Sequence, residues 1–262
     1  MQADIHRGVY VDPRAGRITV TEYAEQWRKT LLHRGSTAKL TERKLRRHVV
    51  PVLGSMQLSA VRPSHLRGWV KDRTAHLEPS TLATVYFGLL VPMFRSAVAD
   101  KLIGSSPCVG VRLPEIPDAR YYIARPHEVH ALADAPPEMY RAIVYLAAGC
   151  GGRAGEIVGL ERDELDLDTR EVHVRRQLAV TSGRRPYLAP PKTKTSARTN
   201  EVPAVVGDAL RRHLDVYRVA GVDLEDETDP RRPISRRAAL VFTREDGSPS
   251  TPRTGRTSGA LP

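Results

Sequence analysis

A break in the apolar periodicity at residues 105–120 divides the chain into two regions. Pro107, Pro114 and Pro117 lie in this segment, and regularly spaced apolar side chains are few. Before the break, apolar residues recur at helical spacing, whereas after it helical patterns alternate with short strand-like ones. The sequence therefore predicts two domains joined by a linker.

The predicted domain boundaries follow from this break. The outer segments have little to bury: residues 1–17 form a predicted arm or linker remnant, and the Gly-, Ser- and Arg-rich residues 246–262 form a predicted disordered tail. Between them, we expect a helical domain over 18–104, a linker over 105–120 and a second domain over 121–245.

Four helices are predicted in the first domain. Thr19 and Glu22 have capping-box spacing, and apolar side chains follow at helical intervals. The other helices are predicted to begin near Ser36, Pro63 and Ser80. Proline lacks the N–H of a helical hydrogen bond, so we expect the second helix to stop before Pro51 and the fourth to kink or end at Pro92.

The second domain is predicted to mix helices with a few strands. Its helices are expected over 126–134, 138–149, 154–160 and 205–219. Strands are expected at 171–175 and 187–189, a third strand or an exposed loop at 192–202, and a loop at 221–233. The predicted fold class is mainly α with a small antiparallel β-sheet.

The basic charge is concentrated in the first region. The chain carries 41 Lys and Arg against 30 Asp and Glu, a net charge of +11. Residues 1–112 hold 18 basic and 8 acidic side chains, whereas the remainder holds 23 and 22. A basic region beside a nearly neutral one indicates a module that binds a polyanion, although charge alone does not separate DNA, RNA and anionic membranes.

Several classes of protein are disfavoured by what the sequence lacks. No apolar stretch approaches the roughly 18 residues of a membrane helix, so we expect no membrane partner. Two cysteines, Cys108 and Cys150, form no CxxC pair, which suits a reducing cytoplasm. His127 and His130 lack a third nearby ligand, so no metal is expected. Without a Walker A loop or dinucleotide fingerprint, no cofactor is expected.

Arg153 is the first candidate for chemistry. It follows three glycines, at 149, 151 and 152, and precedes a predicted helix. A helix N-terminus beside an arginine favours a phosphate, and Glu156 lies three residues on, where it can hold the arginine. By spacing alone, an ordinary surface Arg–Glu pair is the better explanation, because glycine-rich turns with a charged residue are common.

Two further basic clusters fit a nucleic-acid backbone. Lys192 and Lys194 lie in a polar segment that ends at Arg198, and a lysine can also donate a proton to a departing oxygen. The second predicted helix carries the cluster Arg43, Lys44, Arg46, Arg47 and His48. A solvated loop and a solvated helix face are the alternative interpretations.

Taken together, these motifs resemble the tyrosine recombinase (phage integrase) family over residues 18–245. Three stretches resemble its helical core-binding domain: residues 23–54, 79–81 and 97–108. Residues 152–160 resemble the box of the family's first arginine, and residues 191–199 resemble the hairpin of its catalytic lysine. The resemblance implies a core-binding domain followed by an incomplete integrase-type catalytic domain.

The resemblance also implies a mechanism and partners. In this family a tyrosine attacks the scissile DNA phosphate, two arginines and a histidine stabilise its charge, and a lysine protonates the leaving 5′-oxygen. Carried over, Arg153 is the first arginine, Glu156 its supporting carboxylate and Lys192 the general acid, with Lys194 as runner-up. The expected DNA-binding residues are Arg43, Lys44, Arg46, Arg47, Lys194 and Arg198. The implied partners are double-stranded DNA and other recombinase protomers.

The chain departs from the family pattern after Phe242. No His-x-x-Arg follows Lys192, and the last tyrosine is Tyr217, before the expected region. We therefore expect a chain truncated at its C-terminus, with an N-terminus that begins inside or just after an arm-binding domain, and no strand cleavage by the chain alone. Two alternatives are a non-catalytic DNA-binding regulator and a nonfunctional mobile-element remnant.

Overall fold

A computed structural model describes residues 15–33, 35–118, 121–181 and 183–251, with the backbone alone at Lys194 and Ala220. The chain divides into two compact units, Met1–Arg120 and Tyr121–Pro262. We call them unit 1 and unit 2 and describe each separately.

Unit 1 is built from helices. The capping box predicted at its start is present, because Thr19 Oγ1 accepts from the N–H of Glu22 at 3.2 Å and Glu22 accepts in return from the N–H of Thr19 at 2.9 Å. The helices within 15–33 and 35–118 are α1 (Val20–Thr30), α2 (Gly35–Lys44), α3 (Val50–Leu53), α4 (Pro63–Thr74), α5 (Pro79–Val85) and α6 (Val91–Ala99).

The predicted stop before Pro51 is wrong, and so is the predicted early end at Pro92, whereas the alternative of a kink at Pro92 stays a prediction. A π-helical turn, Leu45–Val49, joins α2 to α3, and another, Tyr86–Leu90, joins α5 to α6. Each turn ends two residues before a proline, and its closing N–H, from Val50 or Val91, bonds five residues back to Leu45 or Tyr86. The wider turn changes the hydrogen-bond register where the proline has no N–H to donate, so each helix continues.

The core of unit 1 surrounds the α5–α6 helix. Leu82, Leu90, Met93 and Phe94 are fully buried there. By length and composition alone, Pro79–Ala99 is apolar enough to cross a membrane, contrary to the sequence-based expectation. Its apolar side chains instead pack against those of α1, the first π-turn and α4, among them Val20, Val49 and Trp69.

Part of the predicted linker packs against unit 1. The hydroxyl of buried Tyr86 donates to the carbonyl of Cys108 at 2.9 Å, and Cys108, Val111 and Leu113 pack against the core. Of the predicted arm, residues 1–14 lie outside the described part, and Ala15–Arg17 form a short 3₁₀ turn.

Unit 2 places helices around strands. The helices within 121–181 and 183–251 are α7 (Pro126–Asp134), α8 (Arg141–Cys150), α9 (Ala154–Val158) and α10 (Ala204–Val216). The strands are β1 (Leu165–Asp166), β2 (Glu171–Val174), β3 (Gln177–Ala179), β4 (Tyr187–Ala189), β5 (Arg198–Glu201), β6 (Ala220–Asp226) and β7 (Ile234–Leu240).

Over these described ranges the strands form two sheets. The first is antiparallel with the order β1-β2-β5, and the second has the order β3-β4-β6-β7, with β4 and β6 parallel. The predicted class, mainly α with a small antiparallel sheet, is confirmed, and the second, mixed sheet adds to it. The core between α8, α10 and the first sheet contains Leu146, Val172, Val202, Leu210 and Phe242.

The loop predicted at 221–233 is wrong, because its first half is strand β6. Asp223 faces Arg237 across the pair with β7, and Glu225 forms an ion pair with Arg184. Leu224 is buried between these acidic residues. The acidic composition therefore concealed an alternation of apolar and charged residues that is typical of a strand.

Part of the predicted tail has a defined conformation. Within residues 246–251, Pro249 forms an isolated antiparallel bridge with Thr243, and Ser250 is buried. Residues 252–262 lie outside the described part of the chain.

Candidate functional site

The turn between α8 and α9 presents Arg153. Gly151 ends α8 in the left-handed conformation, with φ of 60°, and its N–H donates to Ala147 O at 3.1 Å. Arg153 then caps the start of α9 with extended backbone. Of the three glycines singled out in the sequence, Gly151 ends helix α8. Arg153 therefore lies at the N-terminus of the next helix, α9.

Glu156 binds two arginines in a buried position. Its side chain is 1% exposed. Arg153 Nη1 donates to Oε1 at 2.8 Å, and the backbone N–H of Arg153 donates to Oε2 at 3.1 Å. Arg198 Nη2 donates to Oε2 at 3.0 Å. The predicted pairing of Arg153 with Glu156 is present, and Arg198 joins it from 42 residues along the chain.

The segment between β4 and β5, which we call the lysine loop (residues 190–197), is fastened to Arg153. Ser196 is buried, and its Oγ accepts from Arg153 Nη1 at 2.9 Å. The hydroxyl of Thr193 lies 2.7 Å from the same oxygen, and the N–H of Ser196 donates to Thr193 O at 3.0 Å. The loop that carries Lys192 therefore lies against Arg153.

The structure places one of the two lysine side chains, that of Lys192, at the surface. Lys192 is exposed, one residue before Thr193. Lys194 begins a short 3₁₀ turn, Lys194–Ser196, and the structure describes only the backbone of Lys194. The fold thus brings the lysine loop to the predicted arginine, and the choice between the two lysines as general acid stays a prediction.

Electrostatics keep the buried carboxylate ionised. Burial opposes ionisation of Glu156, but hydrogen bonds from Arg153 and Arg198 outweigh it and hold the pKa below its usual value. Two guanidinium groups around one carboxylate leave a local excess of positive charge. Because Arg153 is 55% exposed and Arg198 is 26% exposed, Arg153 is the cation better placed to meet an anion from solvent.

Unit 1 carries the second predicted cluster. On the turn that joins α2 to α3, Arg46 and Arg47 are exposed while Leu45 and Val49 are buried. Arg43 is also exposed, and Lys44 is half-buried. Glu42 lies 3.6 Å from Arg46, an exposed pair that neutralises little of this face.

Helix α4 brings a further cation, Arg73, near this cluster, although Arg73 is 17% exposed and forms an ion pair with Asp72. Burial lowers the pKa of His48, and the nearby cations Arg47, Arg73 and Lys44 lower it further. Trp69 of α4 donates to the carbonyl of His48 at 2.7 Å, which fixes α4 against the π-turn. Arg73 was missed by the sequence analysis, since its approach depends on packing between helices distant in sequence.

The other candidate groups do not form a further site. Tyr217 follows α10 and packs beside His213, with ring centroids 5.0 Å apart. Within the described residues, both cysteines are free, and no group of three or more His, Cys, Asp or Glu side chains could hold a metal ion.

Comparison with sequence families gives one match in unit 1. Residues 19–74 match the family described as phage integrase, N-terminal SAM-like domain. This segment contains α1 to α4 and the whole cluster at residues 43–48.

Curated relatives extend the match into unit 2. The chain is 29% identical over 203 residues to the integrase of Mycobacterium phage FRAT1, covering 76% of this chain and 60% of the relative. It is 29% identical over 197 residues to a prophage phiRv2 integrase of Mycobacterium tuberculosis, covering 74% and 51%. The chain therefore spans between half and three fifths of the length of these relatives.

Solved structures share the fold. The integrase of transposon Tn1549 in complex with a circular intermediate DNA aligns with a TM-score of 0.76 and 22% identity, covering 89% of this chain and 74% of that one. A lambda integrase tetramer bound to a Holliday junction aligns with a TM-score of 0.62 and 14% identity, covering 95% and 69%.

Proposed function

Because the chain belongs to the tyrosine recombinase (phage integrase) family, we propose that it binds double-stranded DNA as a site-specific recombinase-type protein. In this proposal unit 1 is the core-binding domain, and unit 2 is the catalytic domain in incomplete form. Other recombinase protomers on the DNA are the proposed protein partners, and the cytoplasm is the proposed location.

One observation carries the proposal: a half-exposed arginine is held by a buried carboxylate and by the loop that bears the lysines. Both side-chain contacts of Arg153, to Glu156 and Ser196, use Nη1. The remainder of the guanidinium can therefore bind a phosphate without losing its support. Donors fixed before the ligand arrives bind a phosphate at little reorganisation cost.

The proposed roles follow from this geometry. Arg153 binds a backbone phosphate, and Glu156 holds the arginine. Lys192, with Lys194 as runner-up, approaches the same phosphate from the lysine loop and supplies the proton for a leaving oxygen. Arg43, Lys44, Arg46 and Arg47 contact phosphates through unit 1 and supply affinity without reading the base sequence.

We propose that this 262-residue chain does not cleave DNA by itself. After Lys192 the sequence contains no His-x-x-Arg, and its last tyrosine is Tyr217. Phosphoryl transfer needs a nucleophile in line with the phosphate, and positioning without one gives binding alone. The same observation supports a second candidate, a DNA-binding regulator that uses the recombinase scaffold; Lys192→Ala would then bind and regulate as the original chain does.

A nicked duplex tests both parts of the proposal. With such a suicide substrate, a native gel should show a retarded complex, and a denaturing gel should show no covalent protein–DNA adduct. Tyr217→Phe is the control: an adduct that this variant abolishes would identify a nucleophile and refute inactivity. Absence of the retarded complex would refute DNA binding.

A further inference from the structure

We propose that Arg198 is a positioning residue, which holds Arg153 and the lysine loop in one arrangement through Glu156 and Ser196, and does not contact DNA. This inference rests on the proposed function, in which Arg153 and the lysine loop bind a DNA phosphate. It replaces the sequence-based expectation that Arg198 binds DNA directly.

The first support is the way Arg198 uses its donors. Its Nη2 donates to Glu156 Oε2 at 3.0 Å and lies 3.5 Å from Gly151 O, and its Nη1 donates to Ser196 O at 2.9 Å. These acceptors belong to three different segments: helix α9, the turn before it and the lysine loop. A guanidinium presents its donors as a rigid fork, so Arg198 fixes these segments relative to one another.

The second support is that Ser196 closes a ring of contacts. Its carbonyl accepts from Arg198, and its hydroxyl oxygen accepts from Arg153 Nη1 at 2.9 Å. Arg153 and Arg198 both end on the same buried carboxylate. Movement of the lysine loop away from α9 would break bonds to both arginines, which makes the arrangement cooperative.

The third support is the difference in exposure between the arginines. Arg198 is 26% exposed and Arg153 is 55% exposed, although they share Glu156. A buried carboxylate with one partner removed keeps an incompletely compensated charge. We therefore expect loss of Arg198 to draw Arg153 further toward Glu156 and to release the loop, even without any direct phosphate contact.

The test compares Arg198→Met in the full chain with Arg212→Met, a control on the exposed face of α10. Hydrogen exchange of the free protein reports on the loop without requiring DNA. The N–H of Ser196 should exchange at least about tenfold faster in Arg198→Met and at the original rate in Arg212→Met, because a charged hydrogen bond to the loop is lost. Amides of β2 serve as an internal control for global unfolding.

A salt titration of duplex affinity supplies the second readout. Because Arg198 itself contacts no phosphate, Arg198→Met should weaken binding but change the slope of log Kobs against log salt less than Arg153→Ala, which should reduce its magnitude by about 0.9. A comparable change of slope in Arg198→Met, or unchanged loop exchange, would overturn the inference. If no variant binds DNA, the proposed function fails and hydrogen exchange alone decides whether Arg198 positions the loop.

Two further variants keep the test decisive if Arg198→Met does not fold. Ser196→Ala removes the hydroxyl that Arg153 contacts, so exchange at residues 194–196 should rise while β2 stays protected. Arg198→Lys retains the charge but has no fork, and we expect it to restore only part of the protection. Loop protection equal to that of the original chain in both variants would contradict the positioning role.

Discussion

At the residue scale, a second buried charge cluster gives unit 2 a dependence on pH. Glu161 accepts from Arg236 Nη1 at 2.8 Å and also pairs with Arg176. Arg236 donates through Nε to Asp226 at 2.6 Å. Glu164 is almost fully buried beside Arg176, and burial raises its pKa to about 7 despite that neighbour. Glu164 is therefore the carboxyl group of this cluster that gains or loses its proton near neutral pH.

Glu164→Gln should remove this pH dependence. The unfolded chain releases the Glu164 proton near pH 4.5, whereas the folded protein keeps it to about pH 7. Between these values the folded state binds more protons, so the free energy of unfolding falls as pH rises, by about 3 kcal/mol in total. The variant should match the original chain near pH 4.5 and exceed its stability by about 1–3 kcal/mol at pH 8.

Urea unfolding across pH 4.5–8 measures this difference. Comparison of the two proteins cancels contributions from other titrating groups, including His213. Glu161→Gln is the matched control, and it should lose stability throughout, because Glu161 binds two arginines in its ionised form. Parallel pH curves for Glu164→Gln and the original chain would contradict the assignment.

Also at the residue scale, the sequence predicts one half of the candidate site. The spacing of Arg153 and Glu156 fixes their pairing, because residues three apart share a helix face. Arg198 and Ser196 reach the same carboxylate and guanidinium only after β2 and β5 pair in register. That register depends on tertiary packing, so local sequence patterns could not assign their roles.

At the scale of elements, the spacing of apolar residues predicted the positions of helices better than proline predicted where they end. Apolar spacing located the helices of unit 1, but one helix did not stop before Pro51 and another did not end at Pro92. The π-turns before them change the register of the backbone hydrogen bonds. One carbonyl of the first turn, that of His48, is instead bonded by the indole of Trp69.

Trp69→Phe should therefore destabilise unit 1. The substitution retains most of the buried ring but removes the donor to His48 O, and loss of a partner for a buried carbonyl costs about 1–3 kcal/mol. Thermal or urea unfolding would measure the change. Trp27→Phe provides a comparison, since its indole bonds a Ser96 hydroxyl that can rotate to another partner. An effect of Trp69→Phe no larger than that of Trp27→Phe would contradict the role given to the π-turn carbonyl.

Strand prediction was weaker because charge obscured it. In β6 the acidic residues alternate with Val222 and Leu224, and their basic partners lie in β7 and at Arg184. The sequence indicates a loop when these charges are considered alone, whereas cross-strand pairing compensates them in the fold. The second sheet thus depends on contacts that no local window contains.

At the scale of the whole molecule, the proposed function depends on phosphate binding by the basic unit 1 and by a pre-arranged arginine in unit 2. The charge asymmetry between the regions, evident from the sequence, supports nucleic-acid binding without specifying it. In unit 2, the arrangement around Arg153 is the proposed second site of phosphate binding. If both parts contact DNA as proposed, the affinity should be sensitive to salt, since each contacted phosphate releases counterions.

The most direct test is the affinity of the original chain for duplex DNA as a function of salt concentration. We expect log Kobs to fall linearly with log salt, with a slope of about −0.9 for each phosphate contacted. Arg153→Ala should reduce the magnitude of the slope by about 0.9, whereas Arg212→Ala should leave it unchanged. A slope near zero, or one that Arg153→Ala does not alter, would contradict the proposal that this arginine binds the DNA backbone.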